Sequence, residues 1–374
     1  MMTPRERYVR TLTFGHPDRI PLAPGEPRES TLAAWHEQGL PKGVDYYQAL
    51  QEILGLEGCR SEEQGLNVSF QMIPTFEEKV LAHRDGHYVV QDWMGAITEI
   101  SDQFDFTYLR EARDFVTRKW HKFPVETRED WREMKKRFDP DTPGRFPADF
   151  EALCERLKDR DHVVGVHFNG PFWQLREWLG FENLCLKLID DPELIEEMIE
   201  FWTDFVATIL GRVLGKVRLD RVSLSEDMAY KAHSMISPAM TRRFLMPSYI
   251  RWVKQIKDSG CPIIDMDSDG CIDQLIPIWI EAGINVCRPI EVAAGNDLIA
   301  FRRDYGDRMA YIGGIDKRAI AAGGETMRRE VYRVAPVIED GGYIPGCDHG
   351  VPPDISWPNY VEYARLLAKL TGWL

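Results

Sequence analysis

From residue 163 onward, short apolar runs alternate with longer stretches whose apolar positions recur at helical spacing. The runs Val163–Phe168, Arg221–Ser225, Pro262–Met266, Val286–Ile290, Met309–Ile312 and Tyr343–Pro345 have strand length. Helical patterns cover 172–215, 237–259, 272–282, 296–305, 317–337 and 357–370 between and after them. Strand and helix alternate without a hairpin, which predicts parallel strands joined by right-handed crossovers. Upstream, the pattern predicts a helix at 3–14 capped by Thr3 with Pro4 in its first turn, an entry strand at 18–22, a helix at 44–54 and a strand at 65–74. Six units plus the two N-terminal strands give eight. The expected fold is a (β/α)8 TIM barrel with an N-terminal helical extension, forming one domain over residues 1–374.

One segment breaks this rhythm. Between about 78 and 101 the apolar positions alternate with period two around Asp85-Gly86, a hairpin turn signal, so a β-hairpin insertion is expected there. A charged helix at 126–137 and a loop around Asp139-Pro140-Asp141-Thr142-Pro143-Gly144 follow.

Composition narrows the function classes. The net charge of −14 is spread along the 374 residues without a basic block, which argues against nucleic acid as a partner. No apolar run approaches membrane-spanning length, and the first residues carry no signal-peptide pattern, so a cytoplasmic protein is expected. Seven widely spaced cysteines without a CxxC motif point to reduced thiols.

In a barrel of this kind chemistry collects at the C-terminal ends of the strands. These ends carry Asn169 and Trp173, Glu226 and Asp227, Asp267 and Asp269, Glu291, Asp316, and finally Cys347, Asp348 and His349. Asp265, Asp267 and Asp269 share one side of a strand by its period of two. Three like charges there demand a metal, a basic side chain or a cationic ligand. Against this stands capping of the following helices, to which Asp269, Asp316 and Asp354 are suited. His349 lies beside Cys347 in the Gly/Pro-punctuated turn 341–354, where acid/base work or metal binding is chemically available.

Four segments carry a resemblance: Thr3-Pro4-Arg5-Glu6-Arg7 with Pro17-Asp18-Arg19-Ile20-Pro21; Asn169-Gly170-Pro171-Phe172-Trp173 leading to Asp190-Asp191-Pro192-Glu193-Leu194; Ser225-Glu226-Asp227-Met228; and Gly341-Gly342-Tyr343 with Asp348-His349-Gly350. Together they resemble the uroporphyrinogen decarboxylase superfamily, which includes corrinoid-dependent methyltransferases, and the resemblance implies a (β/α)8 barrel and suggests a homodimer. The Arg-Gln-Ala-Gly turn of the true decarboxylases is replaced here by Leu22-Ala23-Pro24-Gly25-Glu26-Pro27-Arg28. The methyltransferase branch is more similar. It implies a Zn2+ or other divalent site on Glu226, Asp267, Asp269 and Cys347, with Asp267-Ser268-Asp269 standing where that branch has His-x-Cys. It also implies a corrinoid supplied by a partner protein. The expected function is methyl transfer between a small methylated compound or thiol and that corrinoid, with His349 and Glu226 as catalytic groups and Asn169, Trp173, Asp227, Glu291 and Asp316 contacting substrate. The alternatives are metal-free decarboxylation with His349 as proton donor, and a barrel that binds without turnover.

Overall fold

The structure is a computed structural model that describes residues 2–60, 63–110, 114 and 116–374. The chain forms two compact units, one of Met1–Leu66, Asp149–Phe168 and Val213–Leu374, the other of Asn67–Ala148 and Asn169–Arg212. Among the described residues the strands are β1 (Glu63–Gly65), β2 (Lys79–Arg84), β3 (His87–Gln91), β4 (Ile97–Ser101), β5 (Lys119–Lys122), β6 (Val163–Asn169), β7 (Arg221–Ser225), β8 (Ile263–Asp267), β9 (Val286–Arg288), β10 (Ala310–Ile315) and β11 (Tyr343–Cys347). None of the described helices is long and apolar enough to cross a membrane.

The first unit is built on a curled seven-stranded sheet in the order β1-β6-β7-β8-β9-β10-β11. β1 pairs with β6 and β7 through β11 pair in turn, all in parallel, with Ser223 opposite Asp265, Ser225 opposite Asp267, and Asp267 opposite Arg288. Helices at Met246–Asp258, Ile276–Ala282, Leu298–Tyr305 and Gly324–Arg333 make the crossovers, which is the α/β alternation expected. At the N-terminal end of the strands, Tyr8 and Leu12 of helix Pro4–Leu12 pack on Val163, Ile263, Val286, Ala310 and Ile344. That helix starts where predicted, with a reciprocal Thr3/Glu6 capping box and Pro4 in its first turn.

Two expected strands differ. At 65–74 only the short β1 forms, shifted to Glu63–Gly65. Residues 18–22 make no ladder, although the chain there is extended and lies beside β11: the Cys347 N–H donates to the Pro24 carbonyl at 3.2 Å, and Pro27 forms an isolated bridge with Val351. Pro21, Pro24 and Pro27 remove every third N–H from this run, so it cannot complete a strand pairing. Seven strands, not eight, are therefore hydrogen-bonded into the sheet.

The second unit holds a four-stranded antiparallel sheet, β2-β3-β4-β5. Its first hairpin turns at Asp85 and Gly86, both at positive φ (53° and 73°), as a two-residue turn matching the strand twist requires. The predicted hairpin forms, but the sheet runs on to Lys122, beyond the expected end of the insertion. The helical part is held by an aromatic core in which the Trp178 ring lies 5.0 Å from that of Trp131 and 5.9 Å from that of Trp202.

Candidate active site

Polar side chains on alternate positions of β7, β8 and β9 form one connected network. Asp265 is fully buried. Its carboxylate accepts from Nε of Arg221 and, at 3.3 Å, from Nε of Arg288. Both guanidiniums also donate to Ser223, and Nη1 of Arg221 reaches Glu63 on β1 at 2.7 Å. Burial alone raises the Asp265 carboxyl, but the charges of Arg221 and Arg288 more than reverse this and hold it below its ordinary range. The compensation that three aspartates on one strand face demanded thus comes from two arginines.

Further along the strands, Ser225 donates to Asp267 at 3.1 Å and accepts from Nε2 of His167 at 2.7 Å. With the Ser225 hydroxyl hydrogen on Asp267, His167 Nε2 is assigned as the donor, and partial desolvation and the nearby Arg288 lower the His167 pKa. Asp267 differs from Asp265: burial raises its carboxyl, and the Arg288 guanidinium, 3.5 Å away, reverses this only in part because Asp265 and Asp269 oppose it. Beside the network lies a cavity of about 700 Å3. Arg60, Arg221, Arg288, Tyr46 and Cys347 are among its walls. Nη1 of Arg288 makes no hydrogen bond among the described residues, and the contacts of Arg60 are the Tyr47 ring and a 3.9 Å approach to Glu26.

The predicted site residues fall into three places. His349 donates from Nε2 to Asp269 at 3.0 Å, with the Gly350 N–H on its Nδ1. That bond raises the His349 pKa against the effect of burial, and the Asp269 carboxyl, which burial pushes up, is brought below its ordinary range mainly by His349. Glu291 is paired with Lys317 at 3.0 Å and accepts from the Gly270 N–H. Asp348 is buried and holds the N–H groups of Val292 and Lys317.

Other candidates are committed elsewhere. Asp316 caps helix Lys317–Ala322 and binds the Arg318 side chain, the structural role weighed against it from sequence. Glu226 follows Ser225, so its side chain leaves the opposite face of the strand, where Tyr249 of helix Met246–Asp258 donates to it in the buried interior. Asp227 adopts a positive φ of 38°, a strained position for a residue with a Cβ. Burial pushes the Cys347 thiol up to about 12, Asp348 adding to the effect, so it stays protonated. Among the described residues no three His, Cys, Asp or Glu side chains gather as an ion-holding group. Glu226 is turned to Tyr249 and Asp269 is bound to His349, so an ion on Glu226, Asp267, Asp269 and Cys347 would require both acids to leave these partners.

Asn169 and Trp173 belong to the second unit, where both donate to Glu177, at 3.2 and 2.7 Å, and Gln174 adds a third donor at 3.3 Å. Burial raises the Glu177 pKa from 4.5 to about 7, against those hydrogen bonds. Between these two values the folded protein binds more protons than the unfolded chain, so stability falls as pH rises through the interval, by at most about 3 kcal/mol. Glu177→Gln is expected to flatten that slope. Urea midpoints compared between ~pH 5 and ~pH 8 read it out, and equal slopes in both proteins contradict the assignment.

The profile of the uroporphyrinogen decarboxylase (URO-D) family matches residues 117–365, more than half of the chain. The chain belongs to the uroporphyrinogen decarboxylase family. A curated uroporphyrinogen decarboxylase from Methylococcus capsulatus is 25% identical over 224 residues, covering 58% of this chain and 61% of that protein, so the match spans less than two thirds of the relative's length. A methyltransferase from Methanosarcina mazei superposes over 100% of this chain and 99% of its own with a TM-score of 0.60 at 12% identity, a likeness of fold. A B12-independent methionine synthase from Shewanella sp. W3-18-1 reaches a TM-score of only 0.37 at 10% identity, covering 59% of this chain and 65% of its own, too little to carry an argument.

Arg221, Arg288, His167, Ser223 and Ser225 were not singled out from the sequence. Their signal was present: each is a polar residue at an alternate position of a short, mostly apolar parallel strand, where polar groups turned toward neighbouring strands require partners.

Proposed function

We propose that this URO-D family enzyme decarboxylates a small aromatic or pyrrole carboxylate without a resident metal, in an eight-position barrel where the extended run beside β11 takes the place of the missing strand. The observation that carries the reading is Arg288: it lines the cavity with Nη1 not hydrogen-bonded among the described residues, while its other nitrogens engage Asp265, Ser223 and Asp267. Arg288 and Arg60 supply charge-assisted donors for a substrate carboxylate. Asp267, whose carboxyl burial raises, lies next to that anchor and is the proton donor of the proposal.

In the step, the Asp267 proton forms the new C–H bond at the carbon bearing the carboxylate. The C–C bond to the carboxylate breaks, its electron pair stays on that carbon, and CO2 leaves. Asp267 becomes a carboxylate facing Arg288, and one proton taken up from solvent at His167 is relayed through Ser225 to restore it. His349, the donor expected from sequence, is tied to Asp269 through Nε2 and accepts the Gly350 N–H on Nδ1, and no step of the proposal runs through it.

The test is CO2 release from a panel of pyrrole and aryl carboxylates with and without EDTA. We expect release that survives the chelator. Release abolished by EDTA and restored by zinc, or no release from any member, overturns the proposal.

A second reading, methyl transfer involving a corrinoid partner protein, is favoured by one observation: Cys347, in a Pro345-Gly346-Cys347 turn, borders the same cavity. It requires Glu226 to leave Tyr249 and Asp269 to leave His349, and it predicts about one zinc per chain in the purified protein.

A further inference from the structure

The second unit contains a cavity of its own, about 630 Å3, of the size that encloses a small organic ligand. Trp120 and Phe123 stack on one another along its wall with ring centres 5.1 Å apart and planes 17° from parallel. Trp173 contributes another wall, its ring plane fixed by the 2.7 Å bond from Nε1 to Glu177 and covered on one face by Arg176 at 4.5 Å. Trp120 and Phe181 remain more than a third exposed, an unusual state for two large aromatics bordering one hollow.

Arg118 supplies the second, independent observation. Its guanidinium lies 5.4 Å from the centre of the Trp120 ring on the cavity wall. It makes no hydrogen bond or ion pair among the described residues, although it is only partly exposed. Asp92, the acid whose charge reaches it, already accepts from the backbone N–H groups of Met94 and Ala96. A partly desolvated cation without a bonded anion, set among stacked rings, is matched by a ligand that brings a flat apolar body and one negative group.

We propose that this cavity binds a planar aromatic carboxylate, its ring packed against Trp120 and Trp173 and its carboxylate on Arg118. The inference is independent of the decarboxylase reading, since none of these residues belongs to the β7–β9 network.

Calorimetric titration of the full chain with 1-naphthoate tests it, with uncharged 1-naphthalenemethanol as comparator and Arg118→Met and Arg288→Gln as variants. We expect saturable binding of 1-naphthoate, at least about tenfold weaker binding of 1-naphthalenemethanol, and a loss of about tenfold or more in Arg118→Met. Arg288→Gln is expected to retain binding here, which separates this site from the cavity of the first unit. Absent saturation, equal affinity in Arg118→Met, or disappearance in Arg288→Gln of the Arg118-dependent binding event itself, as distinct from any second event in the first unit's cavity, overturns the proposal. Should Arg118→Met not fold, the comparison of the two ligands on the unaltered protein decides: equal affinities overturn it.

Discussion

Asp265→Leu is expected to lower the stability of the protein by about 3–5 kcal/mol, the cost of leaving a buried charge without its partner. Asp265 is fully buried between two guanidiniums, and Arg221 is itself almost enclosed. Removing the carboxylate leaves two cations facing each other across Ser223, with Glu63 as the remaining anion on Arg221. Urea unfolding reads the effect as a lower midpoint at unchanged slope. The double variant Arg221→Met with Asp265→Leu is expected to recover much of the loss, because an apolar pair of similar volume removes both desolvation costs together. A single-variant loss below about 1 kcal/mol shows that the network contributes little to folding.

The second large effect concerns turnover and binding. Arg288→Gln is expected to reduce carboxylate substrate affinity or kcat/KM by about 100-fold, the scale of losing charge-assisted hydrogen bonds to an anion. Glutamine keeps an amide near Ser223 but loses the positive charge that serves Asp265, Asp267 and the cavity together. Because Arg288 also steadies Asp267 after proton transfer, the loss is expected in kcat as well as KM. The pH profile is expected to shift too, since without Arg288 the Asp267 carboxyl rises further and its proton is released at higher pH. An unchanged profile with a raised KM limits Arg288 to anchoring substrate.

Much of the fold was legible in the sequence because parallel strands buried on both faces read as short apolar runs between helical patterns. The six runs from Val163 to Pro345 all form strands, and the last predicted helix spans Trp357–Leu370 as expected. The Asp85-Gly86 turn was legible for a separate reason, since positive φ at two successive residues selects those residue types. The proline-interrupted run at 18–27 was not, because its extended course carries strand-like side-chain periodicity while its missing N–H groups prevent a ladder. Strand β5 was missed because Lys119–Lys122 is exposed along its length and shows no apolar alternation.

The site was legible in part. Acids at strand ends drew the candidate set, and Asp267, Asp269 and His349 do lie at such ends, paired with neighbours. Counting by two from Ser225 through the strand separates its face from that of Glu226, and the same count brings Arg221, Ser223, Asp265 and Asp267 together. That count used one strand at a time in the sequence; it needs the register between β7, β8 and β9 to reveal two arginines against the aspartates. Asp316 and Asp348 were acids of the right type in the right place that hold backbone N–H groups.

The most direct measurement is a crystal structure of the protein grown with zinc and soaked in pyrrole-2-carboxylate. We expect the carboxylate on Arg288 within the first unit's cavity, Glu226 still bonded to Tyr249, and Asp269 still bonded to His349. A zinc ion held by Cys347 with Glu226, Asp267 or Asp269, and the carboxylate elsewhere, would contradict the proposal.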